Sequence, residues 1–296
     1  MEQLSLFGEE SPEPARCNLP KHQPNPRGLS LGCCAWQHDS YRGLVYPKGT
    51  ASRDELGIYA QYCNAVEVDA SFYAVPPRST VERWLGETPP HFRFAMKAPR
   101  SLTHDARLAL ENTQARADWE AFLALAQLMG DRLCAVLLQL GPSATAHLFP
   151  ALIRVLNTVP PAVPIAVEFR HPSWNNPEIS AALRDLNVVR AWSDQYLDPT
   201  RHVRVDAPHL FDASGSFRYI RLLGDMSTKY DRSTGKRVFQ YGKILFDRST
   251  DLPHWVERVR EHLSRGMPVH LFINNHYQGF ALETAQILRT RLSDPQ

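Results

Sequence analysis

From Val163 to Trp174 the chain reads VPIAVEFRHPSW, an apolar run (Ile165, Ala166, Val167) that breaks off at Glu168, Arg170 and His171. A strand buried on both faces of a parallel sheet has to be continuously apolar. The carboxyl tips of such strands are where α/β folds build their sites. The same pattern recurs along the chain. Strands are predicted over Leu29 to Ala35, Ala65 to Ala70, Phe92 to Met96, Cys134 to Leu140, the stretch just quoted, Val188 to Ser193, Phe217 to Leu223 and Val269 to Ile273. Their ends carry Trp36, Glu67, Lys97, Gln139, Glu168 with Arg170, Asp194, Arg221, and Asn274 with Asn275. Amphipathic helices are predicted between them, notably Arg53 to Tyr62 with Ser52 as N-cap, Gln114 to Met129, Asn176 to Leu186 with Pro177 in its first turn, and Asp251 to Ser264. Eight strands, each followed by a helix or a long loop, predict a (β/α)8 TIM barrel as one α/β domain over residues 28–292. An open doubly wound sheet would need a glycine-rich phosphate loop after its first strand, and Trp36-Gln37-His38 stands there instead.

A chain of 296 residues with 43% hydrophobic and 22% charged residues can bury the core such a barrel needs. The net charge of +2 is too small to imply nucleic-acid binding by itself. Five cysteines without a CxxC pair or zinc spacing predict reduced, mostly buried thiols and a cytoplasmic protein. Cys33 and Cys34, adjacent on a strand, should face opposite sides of the sheet. No apolar run approaches the roughly 18 residues of a membrane span, and the acidic start (Glu2, Glu9, Glu10) is unlike a signal peptide. No membrane partner is expected.

Residues 1–27 differ from the rest. Ser11 to Arg27, rich in proline, asparagine and charge, reads as a flexible linker. At its head lie Gln3, Leu4, Ser5, Leu6 and Phe7. This pentapeptide resembles the QL[SD]LF motif by which bacterial repair and replication proteins dock on the DNA sliding clamp. An extended segment of that kind can drop Leu and Phe anchors into an apolar groove. A chance hydrophobic tail is the alternative; all five positions match, at the end of a tether where a docking peptide has to be.

Among the strand ends, Glu67, Glu168 and Asp194 are candidate acids or bases, with Lys97 and Arg170 in the same mouth to hold them ionised. Lys97 desolvated is also a Schiff-base candidate. His104, on the loop after the third strand, is a candidate proton shuttle. Arg170 and Arg221 suit a phosphate or carboxylate, because a guanidinium pairs bidentately with either. Trp36, Phe72, Tyr73 and Trp174 offer flat faces for a base or sugar, and Asn274 and Asn275 complete the substrate-binding set. The structural alternatives are a fixed Glu168–Arg170 ion pair, Lys97 salt-bridged to Glu67 or Glu168, and an Asn274-Asn275 pair that caps backbone groups. Cations inside a metal's ligand shell are unfavourable, so a metal is not favoured here, and no organic cofactor is indicated. The expected ligand is an anionic small molecule or a nucleic-acid fragment.

Several separated stretches, GCCAW (Gly32 to Trp36), VEVDASFY (Val66 to Tyr73), FRFAMK (Phe92 to Lys97), Thr103-His104, VEFRHPSW (Val167 to Trp174) and FINN (Phe272 to Asn275), resemble the YecE-like family, domain of unknown function 72. The resemblance spans roughly Gly28 to Leu292 and implies a TIM barrel with no agreed activity. Family members usually read GTSGW where this chain has GCCAW, and RLHG where it has Arg221-Leu222-Leu223-Gly224. No imidazole is therefore assigned at the seventh strand.

Three functions remain open from sequence. The first is a hydrolase or lyase on an anionic, nucleic-acid-derived substrate, with Glu67 and Glu168 as acid and base and the clamp peptide raising local concentration at DNA. The second is an inverting glycosidase-like pair, which needs carboxyls ~6.5–9.5 Å apart. The third is a non-catalytic ligand-binding or adaptor barrel.

Overall fold

Nine parallel strands form one sheet: β1 (Leu29–Cys33), β2 (Ala65–Val68), β3 (Arg93–Lys97), β4 (Leu133–Gln139), β5 (Ile165–Glu168), β6 (Val189–Arg190), β7 (Trp192–Ser193), β8 (Arg218–Leu222) and β9 (Val269–Ile273). This computed structural model describes residues 17–21, 23–194, 215–224 and 241–294. The Gln3–Phe7 peptide, most of the irregular segment predicted after the sixth strand (with His202, Asp206 and His209), and the loop expected over Lys229 to Arg237 lie outside the described residues.

The strand order is β6-β5-β4-β3-β2-β1-β9-β8-β7. Its two ends, β6 and β7, are separated in the chain by Ala191 alone. Ala191 N–H donates to Val167 O at 2.9 Å, while β7 pairs with β8. The sheet is thus nearly closed into a barrel. The single sixth strand expected from sequence is two short strands, because its first half pairs with β5 and its second half with β8.

Helices α1 (Glu55–Tyr59), α2 (Ala70–Tyr73), α3 (Arg78–Glu87), α4 (Thr113–Met129), α5 (Phe149–Leu156), α6 (Pro177–Asp185), α7 (Leu252–Ser264), α8 (Asn275–Gln278) and α9 (Ala281–Ser293) lie in the connections. Where capping chemistry is present the starts follow it. Asn112 accepts from Ala115 N–H to open α4, and Asn176 accepts from Glu178 N–H with Pro177 behind it to open α6. The first helix begins at Glu55 rather than Arg53, since Arg42 engages the Ser52 hydroxyl expected to cap it. No described helix is long and apolar enough to cross a membrane. Contacts of the folded body begin before Gly28: Cys17 N–H donates to Leu44 O, and Arg289 on α9 donates to Asn25 Oδ1 at 2.7 Å.

The period-2 alternation of strands sorts side chains between two cores. Val66, Val68, Phe94, Met96, Val136, Leu138, Val167 and Ile220 join the large cluster under the helices. Ala65, Ala95, Ala135, Ala166 and Ala191 belong to a second cluster with Tyr219 and Phe272, on the other sheet face. Five alanines leave room at the barrel's waist for two large rings, and Tyr219 and Phe272 fill it with centroids 5.3 Å apart. Two residues further along five of these strands, one level higher, come Glu67, Lys97, Glu168, Ser193 and Arg221, while β4 carries Leu137 there and Gln139 two places beyond. The alternation that makes the waist small therefore stacks a polar layer directly above an aromatic floor.

Candidate active site

Arg221, on β8, is the centre of that layer and is 2% exposed. Its Nη2 donates to Glu67 Oε1 at 2.6 Å and its Nε to Glu67 Oε2 at 2.9 Å. Its Nη1 donates to Glu168 Oε2 at 2.6 Å and to Gln139 Oε1 at 3.3 Å. From the floor, the Tyr219 hydroxyl donates to Glu67 Oε2 at 2.5 Å. Arg170 approaches from outside, its Nε donating to Glu168 Oε1 at 2.6 Å. One guanidinium therefore ties carboxylates from opposite sides of the barrel, a geometry its planar fork suits.

Charge explains the titration of these groups. Burial pushes the Glu168 carboxyl up, but Arg170 and Arg221 together outweigh burial and hold it at about 2. Burial works against the Arg221 charge, and Glu67 and Glu168 more than restore it. Burial, and then the negative charge of Glu67, raise both the Tyr219 hydroxyl and the Cys34 thiol. Every oxygen of Glu67 and Glu168 has a cationic partner, so both carboxylates are fully engaged, and Glu168 is ionised at neutral pH. That state suits electrostatic support better than proton transfer.

The more open side of the layer is different. Asp69, one step past the end of β2, lies 3.6 Å from Lys97 Nζ and 3.8 Å from Arg221 Nη2 through Oδ1. Both separations are too long for a hydrogen bond. Asp69 Oδ1 is enclosed and accepts none. Burial, and then Glu67, push the Asp69 carboxyl above its ordinary range. Lys97 Nζ sits over the Phe72 ring at 4.2 Å, and His104 meets the same ring edge-on at 4.9 Å. His104 lies in a π-helical turn, Ser101–Asp105, with its Nδ1 2.9 Å from the Thr103 hydroxyl. Burial, Lys97 and Arg170 all lower its pKa, leaving a neutral imidazole. Tyr73 is 77% exposed at the rim, edge-on to Phe72 at 5.2 Å.

The structure thus brings together Glu67, Lys97, His104, Phe72, Tyr73, Glu168, Arg170 and Arg221. Asp194 is close in the fold but engaged: Oδ1 and Oδ2 accept the N–H groups of Leu223 and Gly224 at 2.6 and 2.7 Å. It shapes the turn after β8, where Gly224 (φ +69°) has no room for a Cβ against the His276 carbonyl. The stacking role expected of Trp36 and Trp174 meets a steric objection. Trp174 is fully buried against Phe169, its Nε1 donating to Ala144 O at 2.7 Å, and Trp36 packs edge-on to Trp84. Asn274 accepts from His276 N–H, while Asn275 Oδ1 accepts from the Tyr41 hydroxyl and Ala281 N–H. Asp69 and Tyr219 were not anticipated as site residues, and Gln139 was expected at a strand end but given no role. Period 2 would have found Tyr219, two places before Arg221, and Asp69, two places after Glu67 in the strand predicted to Ala70, although the strand itself ends at Val68. Among the described residues no group of three or more His, Cys, Asp or Glu is placed to hold a metal.

A family model described as "Protein of unknown function DUF72" matches residues 30–296. The chain is 25% identical over 264 residues to UPF0759 protein YunF of Bacillus subtilis, covering 87% of this chain and 92% of that one. It is 30% identical over 181 residues to UPF0759 protein YecE of Escherichia coli, covering 61% and 62%. A solved DUF72 family protein from Thermotoga maritima superposes with a TM-score of 0.69 at 23% identity, over 90% of this chain and 99% of that one. Another, from Enterococcus faecalis, gives 0.66 at 19%, over 90% and 96%. The two solved structures support the fold alone.

Proposed function

We propose, for a chain that belongs to the DUF72 family of proteins of unknown function, that the barrel mouth is an active site of hydrolase or lyase type for an anionic substrate. We read β6 and β7 as one interrupted stave, which makes the sheet a (β/α)8 barrel with this mouth at its catalytic end. The observation that carries the functional reading is Asp69 Oδ1, a buried acceptor without a hydrogen bond between two cations. A native structure rarely leaves such an atom unsatisfied unless water, an ion or a ligand completes it. Lys97 and Arg170 attract the anion, Asp69 and the neutral His104 exchange the proton, and Glu67–Arg221–Glu168 is the rigid support beneath them. Asp69 thereby takes the proton-transfer role that sequence suggested for Glu67 and Glu168. A glycosidase-like pair is not favoured, because the Arg221 guanidinium occupies the space between the two carboxylates that a sugar and a water would need.

The test has two stages. Inorganic phosphate titrated by calorimetry should bind the wild-type chain, and at least tenfold more weakly the K97A and R170A variants. A panel of phosphomonoester, phosphodiester and N-glycoside substrates, run with and without divalent metal, then seeks turnover. Where turnover is found, Asp69→Asn should lower it by about 10²–10⁴-fold, the usual share of a general acid or base. Unchanged turnover in D69N would remove the assignment. Binding without turnover of any kind would leave the non-catalytic ligand-binding barrel in its place.

We further propose that Gln3–Phe7 recruits the chain to the DNA sliding clamp, on the strength of the five-residue match at the end of a tether. A pull-down should retain the clamp with wild type and lose it when Leu6 and Phe7 are both changed to Ala.

A further inference from the structure

Thr103 and His104 stand side by side in the π-helical turn Ser101–Asp105, which Ala106 N–H closes onto Ser101 O at 2.8 Å. Such turns recur at functional sites. The chain leaves this one through Arg107 and Leu108, both at positive φ (51° and 68°), a conformation that non-glycine residues keep only where their surroundings enforce it. Thr103 is 2% exposed, and its hydroxyl donates to Pro99 O at 3.0 Å. The same hydroxyl oxygen is 2.9 Å from His104 Nδ1. A hydroxyl has one proton to give. Were it given to Nδ1, the Thr103 and Pro99 oxygens would face each other at 3.0 Å with no proton between them. Both contacts are satisfied when the hydroxyl proton goes to Pro99 O and Nδ1–H donates to Thr103 Oγ1. A neutral imidazole protonated at Nδ1 carries its free lone pair on Nε2. Among the described residues no hydrogen bond engages Nε2. A Cβ built on Gly141, two places beyond Gln139 at the tip of β4, would lie 3.4 Å from His104 Nε2 and Cδ2, with nothing else within 4 Å beyond its chain neighbours. Glycine at that place leaves room for an oxygen beside Nε2.

We infer that His104 is the general base of the barrel mouth, acting through Nε2, and that Thr103 is the positioning residue that fixes this tautomer. Resting on the hydrolase or lyase reading above, this role names which of His104 and Asp69 takes the first proton. In hydrolysis a water beside Gly141 gives its proton to Nε2 as its oxygen attacks: the O–H bond breaks, the N–H bond forms, and the electron pair left on oxygen makes the bond to the substrate. The proton on Asp69 goes to the leaving group, and the imidazolium replaces it as the product departs, so both side chains end as they began. Thr103 touches no substrate in this scheme and acts only through the ring. Without its oxygen as acceptor the ring takes the Nε2–H form that a free histidine favours in water, which has no lone pair to offer beside Gly141. Valine keeps the shape of threonine and lacks the acceptor, whereas serine keeps the acceptor.

The experiment is a long-range proton–nitrogen NMR spectrum of the full chain labelled with 15N-histidine, recorded at about pH 8.5, where ordinary histidines are neutral. H104Q identifies the His104 signals among the twelve histidines. Wild type should show a protonated Nδ1 and a bare Nε2, T103V should shift the ring to the Nε2–H form, and T103S should restore the wild-type pattern. A bare Nδ1 in wild type, or an unchanged pattern in T103V, would overturn the positioning role. The wild-type spectrum decides the tautomer even if T103V fails to fold. On a substrate whose turnover D69N lowers, H104Q should lower kcat by about 10²–10⁴-fold. T103V should lower it by about 10–100-fold, the usual cost of losing the group that orients a histidine, with phosphate affinity unchanged and T103S close to wild type. Full turnover in H104Q would overturn the base role and leave the Asp69 assignment standing. Absence of turnover on every substrate would overturn the base role together with the hydrolase or lyase reading, and the spectrum would still decide the tautomer.

Discussion

Arg221→Met removes the guanidinium at the centre of the polar layer while keeping its hydrocarbon bulk. In the native protein that group makes hydrogen bonds of 2.6 Å to each of two carboxylates that are 0% and 1% exposed, Glu67 and Glu168. Without it Glu67 keeps only the Tyr219 hydroxyl among these partners, and Glu168 keeps Arg170. Removing one member of a buried ion pair costs about 3–5 kcal/mol, because the remaining charge is left uncompensated in a poorly polarisable interior. An independent estimate comes from Glu168 alone. Its carboxyl sits at about 2 against an ordinary 4.5, which at about 1.4 kcal/mol per pH unit makes roughly 3 kcal/mol of stability at neutral pH. Arg170 and Arg221 share that amount. We therefore expect R221M to lose about 4 kcal/mol at pH 7, read as the shift of the urea midpoint at constant slope. The sign of the pH dependence follows from the depressed value. The Glu168 contribution is complete above the unfolded value and is lost as pH falls towards about 2. The gap between wild type and R221M should accordingly narrow by up to about 1 kcal/mol between pH 7 and pH 4. A loss below about 1 kcal/mol at pH 7, or a gap unchanged down to pH 4, would refute the view that Arg221 neutralises these carboxylates. Glu168→Gln is the milder companion: it should cost about 2 kcal/mol, and its deficit should also narrow as pH falls.

Gly224→Ala should cost at least about 2 kcal/mol, since a side chain at φ +69° is strained and its Cβ would lie 2.2 Å from the His276 carbonyl oxygen. Gly86→Ala, inside α3 with nothing within 4 Å, should instead gain about 0.5–1 kcal/mol in the same urea assay. The His104 imidazole should titrate below 6.5 by NMR, and K97A should move it upward, because Lys97 follows burial as a cause of its depression. Asp194→Ala should lose about 2 kcal/mol and increase hydrogen exchange at Leu223 and Gly224, whose N–H groups lose their carboxylate acceptor.

Much of the barrel was legible from order along the chain. An apolar run followed by sudden charge marks a strand tip whatever the partner strands are, so Glu67, Lys97, Glu168 and Arg221 could be placed in one mouth before any contact was known. The alternation that puts Ala166 on the inner face also puts Glu168 there. Proline and asparagine likewise announced the start of α6, since capping acts within four residues. These features are local, and local spacing determined them.

Tertiary structure alone decided which charges neutralise one another. Glu67 and Arg221 are 154 residues apart, and nothing in their neighbourhoods says that one guanidinium will reach both Glu67 and Glu168 and remove them from proton transfer. The same holds for Asp69, whose Oδ1 is left between Lys97 and Arg221 without a hydrogen bond, and for Trp174, which its setting beside charged residues suggested for the rim and which packing placed inside. It also holds for the split of the sixth strand at Ala191, where the two edges of the sheet meet. Closing a ring brings distant strand tips within a few ångströms of each other. Coulombic and packing energies vary steeply over that distance, so what each side chain does is a property of the closed barrel.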